Sequence, residues 1–179
     1  MAINYVTHDD GKAVVLLSGS ADALRHLTGT NVTEIVGAIA MKCTHLEMTI
    51  DAQICKITKL TDEEVRVFLG RAMLDAKLTI FLDLAEIRLR HRQKEFKALK
   101  DLIAKLRELN TSRKIAVHGG WISWRTREEA MRGVKQFKTT AIKGGSRLSI
   151  EEAAAVPAKL SEKSSALVML VNKIWPELE

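Results

Sequence analysis

NVTEIVGAIAMKCTHLEMTIDAQICKI, residues 31–57, carries the pattern on which the architecture turns. Ile35, Ile39, Cys43, Leu46, Ile50, Ile54 and Ile57 recur at steps of three and four, which places them on one side of an α-helix. Asn31 in front of the run, with Glu34 three positions on, has the form of an N-cap and its capping partner. A stripe of this kind is stable in water only when another apolar surface covers it.

Working outward, three further helices offer that cover. The second opens at Thr61 with Glu64 in capping-box spacing. Its apolar line is Val65, Phe68, Leu69, Ala72, Met73, Ala76, Ile80, Leu84 and Ile87, with a break or bend expected between Gly70 and Asp75. The third sets Phe96, Leu99, Leu102, Ile103, Leu106 and Leu109 against an outer face of Arg90, Lys94, Lys97 and Lys105. The last opens at Ser149 with Glu152 and buries Leu160, Leu167, Leu170, Val171 and Ile174. Pro157 predicts a kink or a restart within it. Four helices with one stripe each predict a mainly α fold, a four-helix bundle.

Between the third and fourth helices the texture changes. Gly119-Gly120 and Gly144-Gly145 are turn signals, and Trp121–Trp124 and Val134–Ile142 read as short strands, so a small β-hairpin or ribbon is expected there. Residues 1–30 stand as an N-terminal extension in which Ala13–Leu17 is a candidate strand or docking segment. Residues 31–179 form the helical domain, with the β insertion at about 115–148.

Composition narrows the function classes. The chain has 179 residues, 46% hydrophobic and 28% charged, with 2 Pro and 10 Gly, which excludes collagen-like and low-complexity chains. The longest uncharged run, Ile115–Trp124, is far below the roughly 18 residues a membrane span needs, so no membrane association is expected. No basic-then-apolar leader opens the sequence, and a cytoplasmic location is the expectation. Cys43 and Cys55, twelve positions apart on one helix, lie about 18 Å from each other and cannot pair together.

The net charge of +6 is unevenly spread. Residues 86–114 hold ten Lys/Arg against four Asp/Glu, and residues 115–148 hold seven against two. Basic density of this order favours an anionic partner, of which nucleic acid is the commonest. Aromatic residues make up only 4%, which disfavours a base-stacking platform. Phosphate-binding glycine loops, dinucleotide fingerprints and Cys-x-x-Cys pairs are absent, and no two histidines fall at i, i+4, so neither cofactor nor metal is indicated.

One stretch combines helix end, cation and imidazole: Leu106-Arg-Glu-Leu-Asn-Thr-Ser-Arg113-Lys-Ile-Ala-Val-His118-Gly-Gly-Trp121. Arg113 falls four positions past Leu109, on the buried stripe if the helix persists that far. An arginine there calls for an anionic partner. Arginine to hold a phosphate and histidine to move a proton are the minimum for metal-free RNA cleavage.

This stretch resembles the HEPN superfamily of helical bundles, whose signature is Arg, four to six residues, then His. The likeness extends from about Asn31 to the end of the chain and takes in Glu47 on the first helix and Lys77 on the second. Where many such proteins carry Asn after the arginine, this chain has Lys114. The resemblance implies a homodimeric, metal-independent endoribonuclease of toxin or defence type that uses no cofactor. It makes Arg113 and His118 the catalytic candidates, with Arg90, Lys94, Lys97 and Lys114 as RNA contacts. The same fold also serves as a non-catalytic module for dimerisation or for binding nucleic acid or protein, and as a regulatory or antitoxin partner. A structural reading stands beside each residue: Arg113 as a cation at a helix C-terminus, His118 as a turn histidine, Glu47 and Asp51 as a solvated pair, and Lys77 as a snorkelling side chain.

Overall fold

The structure, a computed structural model, describes residues 2–7, 13–18, 32–126 and 138–176. The fold is mainly helical with an antiparallel sheet. In chain order the elements are β1 (Ala2–Thr7), β2 (Ala13–Ser18), α1 (Val32–Thr58), α2 (Asp62–Leu69), α3 (Leu74–Arg88), α4 (Gln93–His118), β3 (Gly120–Thr126), β4 (Lys138–Lys143), β5 (Ser146–Ser149) and α5 (Ile150–Ile174). The chain divides into two compact units, Met1–Ala40 with Ser112–Val156, and Met41–Thr111 with Pro157–Glu179.

The second unit is helical. On α1 the predicted stripe is buried from Cys43 to Ile57, with Leu46, Ile50 and Ile54 fully enclosed. Asn31, the expected cap, lies outside the described residues. Thr61 caps α2 as its spacing requires: the Glu64 N–H donates to the Thr61 hydroxyl at 3.2 Å, and the Thr61 N–H donates to the Glu64 carboxylate at 2.8 Å. The expected break falls at Gly70, whose φ of 54° is in the left-handed region that favours glycine. The second predicted helix is therefore two helices.

That break changes which face of α3 is buried. Leu74, Leu78, Phe81 and Ala85 are buried in the core, whereas on the predicted line Ile80 and Leu84 are half-buried and Met73, Ala76 and Ile87 are exposed. Met73 and Ile87 are 68% and 70% exposed. The sequence of α3, LDAKLTIFLDLAEIR, is apolar around most of its circumference, so spacing alone allows two phases.

Side-chain bonds fix the directions of the helices in this unit. Lys77 pairs with Asp51 at 2.6 Å and Arg88 donates to the Ile57 carbonyl at 3.3 Å, so α3 runs the same way as α1. Asn110 donates to Asp75 and Arg107 to Thr79, both at 2.8 Å, so α4 runs opposite to α3. Lys56 donates to Asn172 at 3.1 Å and Ser164 to Thr49 at 3.3 Å, so α5 is parallel to α1. Lys77 is thus an ion-pair partner with an 11% exposed side chain rather than a snorkelling lysine, and Asp51 pairs with it rather than with solvent beside Glu47. Trp175, 8% exposed, anchors the end of α5 as expected.

The first unit holds a five-stranded antiparallel sheet in the order β1-β2-β3-β4-β5. Ala13–Ser18, which the sequence leaves open between a strand and a docking segment, is a strand, and it pairs with β3 in the register Val14↔Thr126 to Leu17↔Ser123. The expected ribbon between the last two helices is therefore part of a larger sheet that recruits the N-terminal hairpin. Of the predicted Val134–Ile142 strand, residues 134–137 lie outside the described residues, and β4 begins at Lys138. Gly144 and Gly145, with φ of 55° and 81°, form the two-residue turn between Lys143 and Ser146. Both central residues there need positive φ, which is why glycine occupies each.

Ser149 caps α5: the Glu152 N–H donates to its hydroxyl at 3.2 Å, and its own N–H donates to Glu152 at 2.8 Å. The helix runs on through Pro157 to Ile174 without a restart.

Candidate nucleic-acid interface

The basic residues of α4 arise from the same periodicity that buries its other side. Leu99, Ile103 and Leu106 are fully enclosed, and Asn110 is 1% exposed. The positions between them must face water, and there the sequence places Lys94, Lys97, Lys100, Lys105 and Arg107, all exposed, against Asp101 and Glu108. Arg90, in the turn before the helix, is exposed as well. Lys94 to Lys105 covers about 16 Å along the axis, enough to follow several phosphates of one strand.

Not every arginine here is available to a ligand. Arg92 is committed to Glu95 at 3.2 Å and to the Ile174 carbonyl at 2.7 Å, and Arg107 donates to Thr79. The lysines carry the accessible charge. Sequence reasoning named Arg90, Lys94 and Lys97 as contacts and passed over Lys100 and Arg107, whose exposure follows from the same helical count.

The helix persists past Leu109 and Arg113 and ends at His118, just before Gly119-Gly120. Asn110 is tied to Asp75 and the Thr111 hydroxyl donates to the Arg107 carbonyl at 3.1 Å, so these polar side chains bond without ending the helix. Arg113 is half-buried, in keeping with its place past Leu109, and its Nε is buried with no hydrogen-bond partner. His118 is the last helical residue and is exposed. Lys114 is half-buried.

Continuous helix has a direct consequence for the proposed pair. Five positions at 100° each leave Arg113 and His118 about 140° apart around the axis. Within one chain their side chains leave the helix in different directions.

Past His118 the chain turns tightly into β3. The Gly119 N–H donates to the Ile115 carbonyl at 2.8 Å, and a Cβ at this position would overlap the Ile115 and Ile142 carbonyl oxygens. The Trp121 indole N–H donates to the Ala116 carbonyl at 2.9 Å, tying the first strand residues to the end of the helix.

Other chemistries have less to build on. Among the described residues no three His, Cys, Asp or Glu side chains gather where one cation could sit, and no helix is long and apolar enough to cross a membrane. Burial, then the nearby Asp62 carboxylate, pushes the Cys55 thiol up, which opposes formation of a nucleophilic thiolate. No family model matches the chain, and no curated protein or solved structure is significantly similar to it.

Proposed function

We propose that this chain is a HEPN-like helical module that holds RNA on the outer face of α4. The observation that carries the reading is the row Lys94, Lys97, Lys100 and Lys105, all exposed and outnumbering the two carboxylates in the same span, Asp101 and the Arg92-paired Glu95. Such a row neutralises backbone phosphates and releases their counterions, which gives affinity without base readout. The low aromatic content agrees with a backbone binder.

The four-helix reading belongs to the same proposal, with α1, the broken pair α2–α3, α4 and α5 in the four places. So does the homodimer: Val67, Phe68, Met73 and Ile87 are each more than 60% exposed, and a second copy is the partner this reading assigns to them. The test is RNA binding across a salt series. Affinity should fall steeply with salt, and a flat salt response would remove the proposal.

A second reading, cleavage through Arg113 and His118, is favoured by the buried, unpartnered Nε of Arg113, a guanidinium atom without its anion. The 140° divergence means that a cleaving pair would draw the two groups from different copies. Incubation with RNA in EDTA, with a search for 2′,3′-cyclic phosphate ends, separates the readings. Under the binding proposal wild type and His118→Ala both leave RNA intact, whereas cleavage lost in His118→Ala establishes the second.

A further inference from the structure

In the helical unit a groove of about 280 Å³ lies between α1 and α5, lined by Lys42, His45, Leu160, Ser161, Ser164 and Ser165. Its origin is in the sequence. Ser161, Ser164 and Ser165 stand at i, i+3 and i+4, so they share one face of α5, and none is large enough to fill the space beside a neighbouring helix. Lys42 and His45 stand at i, i+3 on α1, one turn before Thr49, which accepts the Ser164 hydroxyl and so sets the register. Leu160 is fully buried and closes the floor.

The chemistry of the lining is one-sided. An ammonium, an imidazole and three hydroxyls converge, and no carboxylate is among them. The nearest acid along α5, Glu162, points about 100° away from Ser161 and bonds Lys163 at 2.6 Å. That bond holds the Glu162 carboxyl below its ordinary range. Lys42, His45, Ser161 and Ser165 make no side-chain hydrogen bond or ion pair to any described residue, so their donors remain open to a ligand.

A donor-rich recess without an acid suits an oxyanion, and a phosphate can take donors from ammonium, imidazole and hydroxyls on separate oxygens. The volume is at the lower edge of the roughly 300–1,000 Å³ of small-molecule sites, which admits a phosphate with a small group attached. We propose that the α1–α5 groove binds the terminal phosphate of a phosphomonoester, with Lys42 and His45 on one wall and the serine hydroxyls on the other. Its lining shares no residue with the α4 row, and it does not depend on the RNA reading.

The experiment is a titration of ¹⁵N-labelled protein followed by NMR, with adenosine 5′-monophosphate and with adenosine. The monophosphate should shift the amides of His45, Ser161, Ser164 and Ser165, while adenosine leaves them in place. Lys42→Ala should weaken binding about tenfold or more, as expected for loss of a charge-assisted bond. Ser165→Val, which fills the groove and keeps the cation, should weaken it as well. Short RNAs with a 5′-phosphate or a 5′-hydroxyl, tested on a variant with Lys94, Lys97 and Lys105 changed to Glu, distinguish an RNA end from a free mononucleotide. Equal response to monophosphate and adenosine, or binding indifferent to both Lys42→Ala and Ser165→Val, would overturn the proposal.

Discussion

α3 and α4 run antiparallel, joined by Asp75–Asn110 and Thr79–Arg107, and each gives its apolar residues to the same core. Their opposite faces differ: α4 turns a row of lysines to water, whereas α3 exposes Ala76 and Ile87 among Thr79, Asp83, Glu86 and Arg88. The demands of the core fix one side of a helix and leave the other free. Function is therefore to be sought where the free side departs from an ordinary mixed surface.

The sharpest way to break this comparison is to cut both sides of α3. Phe81→Ala should cost about 3–5 kcal/mol in urea unfolding, the range for a buried aromatic, and Ile87→Ala less than about 0.5 kcal/mol. Similar losses at the two positions would mean that the exposed line is covered. On α4 the equivalent test is Lys94, Lys97 and Lys105 changed together to Glu. RNA affinity should fall about a hundredfold or more, and the slope of log K against log salt should flatten by about two to three, with the unfolding midpoint unchanged.

A smaller effect tests the joint before α3. Thr61→Ala removes the α2 cap and should cost about 1 kcal/mol. The last prediction concerns acid. The Glu64 carboxyl lies below its ordinary value of 4.5 because the Thr61 N–H, then its hydroxyl, bonds the charged form. A depressed carboxylate stabilises the fold above 4.5, and that contribution is lost as pH falls through the lowered value. Glu64→Gln should therefore narrow the difference in denaturant midpoint between pH 7 and pH 3, and an unchanged difference would show that the cap carries no charge-dependent stability.

How far the sequence was legible follows from how local each signal is. The stripes of α1, α4 and α5, the caps at Thr61 and Ser149 and the break at Gly70 are written within a few residues of where they act. The buried face of α3 is only partly legible, because its apolar residues satisfy two phases and only the neighbouring helices choose between them. Whether α4 persists past Leu109 stays open in the sequence, because Asn110 is a poor helix former in isolation and its bond to Asp75 comes from a distant part of the chain. The α1–α5 groove left only a faint trace, small hydroxyls at i, i+3 and i+4. Nothing in the serines announces that Lys42 and His45 lie opposite them.

The pairing of β2 with β3 joins residues about one hundred positions apart, Leu17 against Ser123 and Val14 against Thr126. During synthesis β2 precedes α1 and cannot pair with β3 until all of α1 to α4 has been made. At this seam loop closure over so long a span has to precede the ladder that rewards it, which makes the β2–β3 pairing a costly, non-local step of folding.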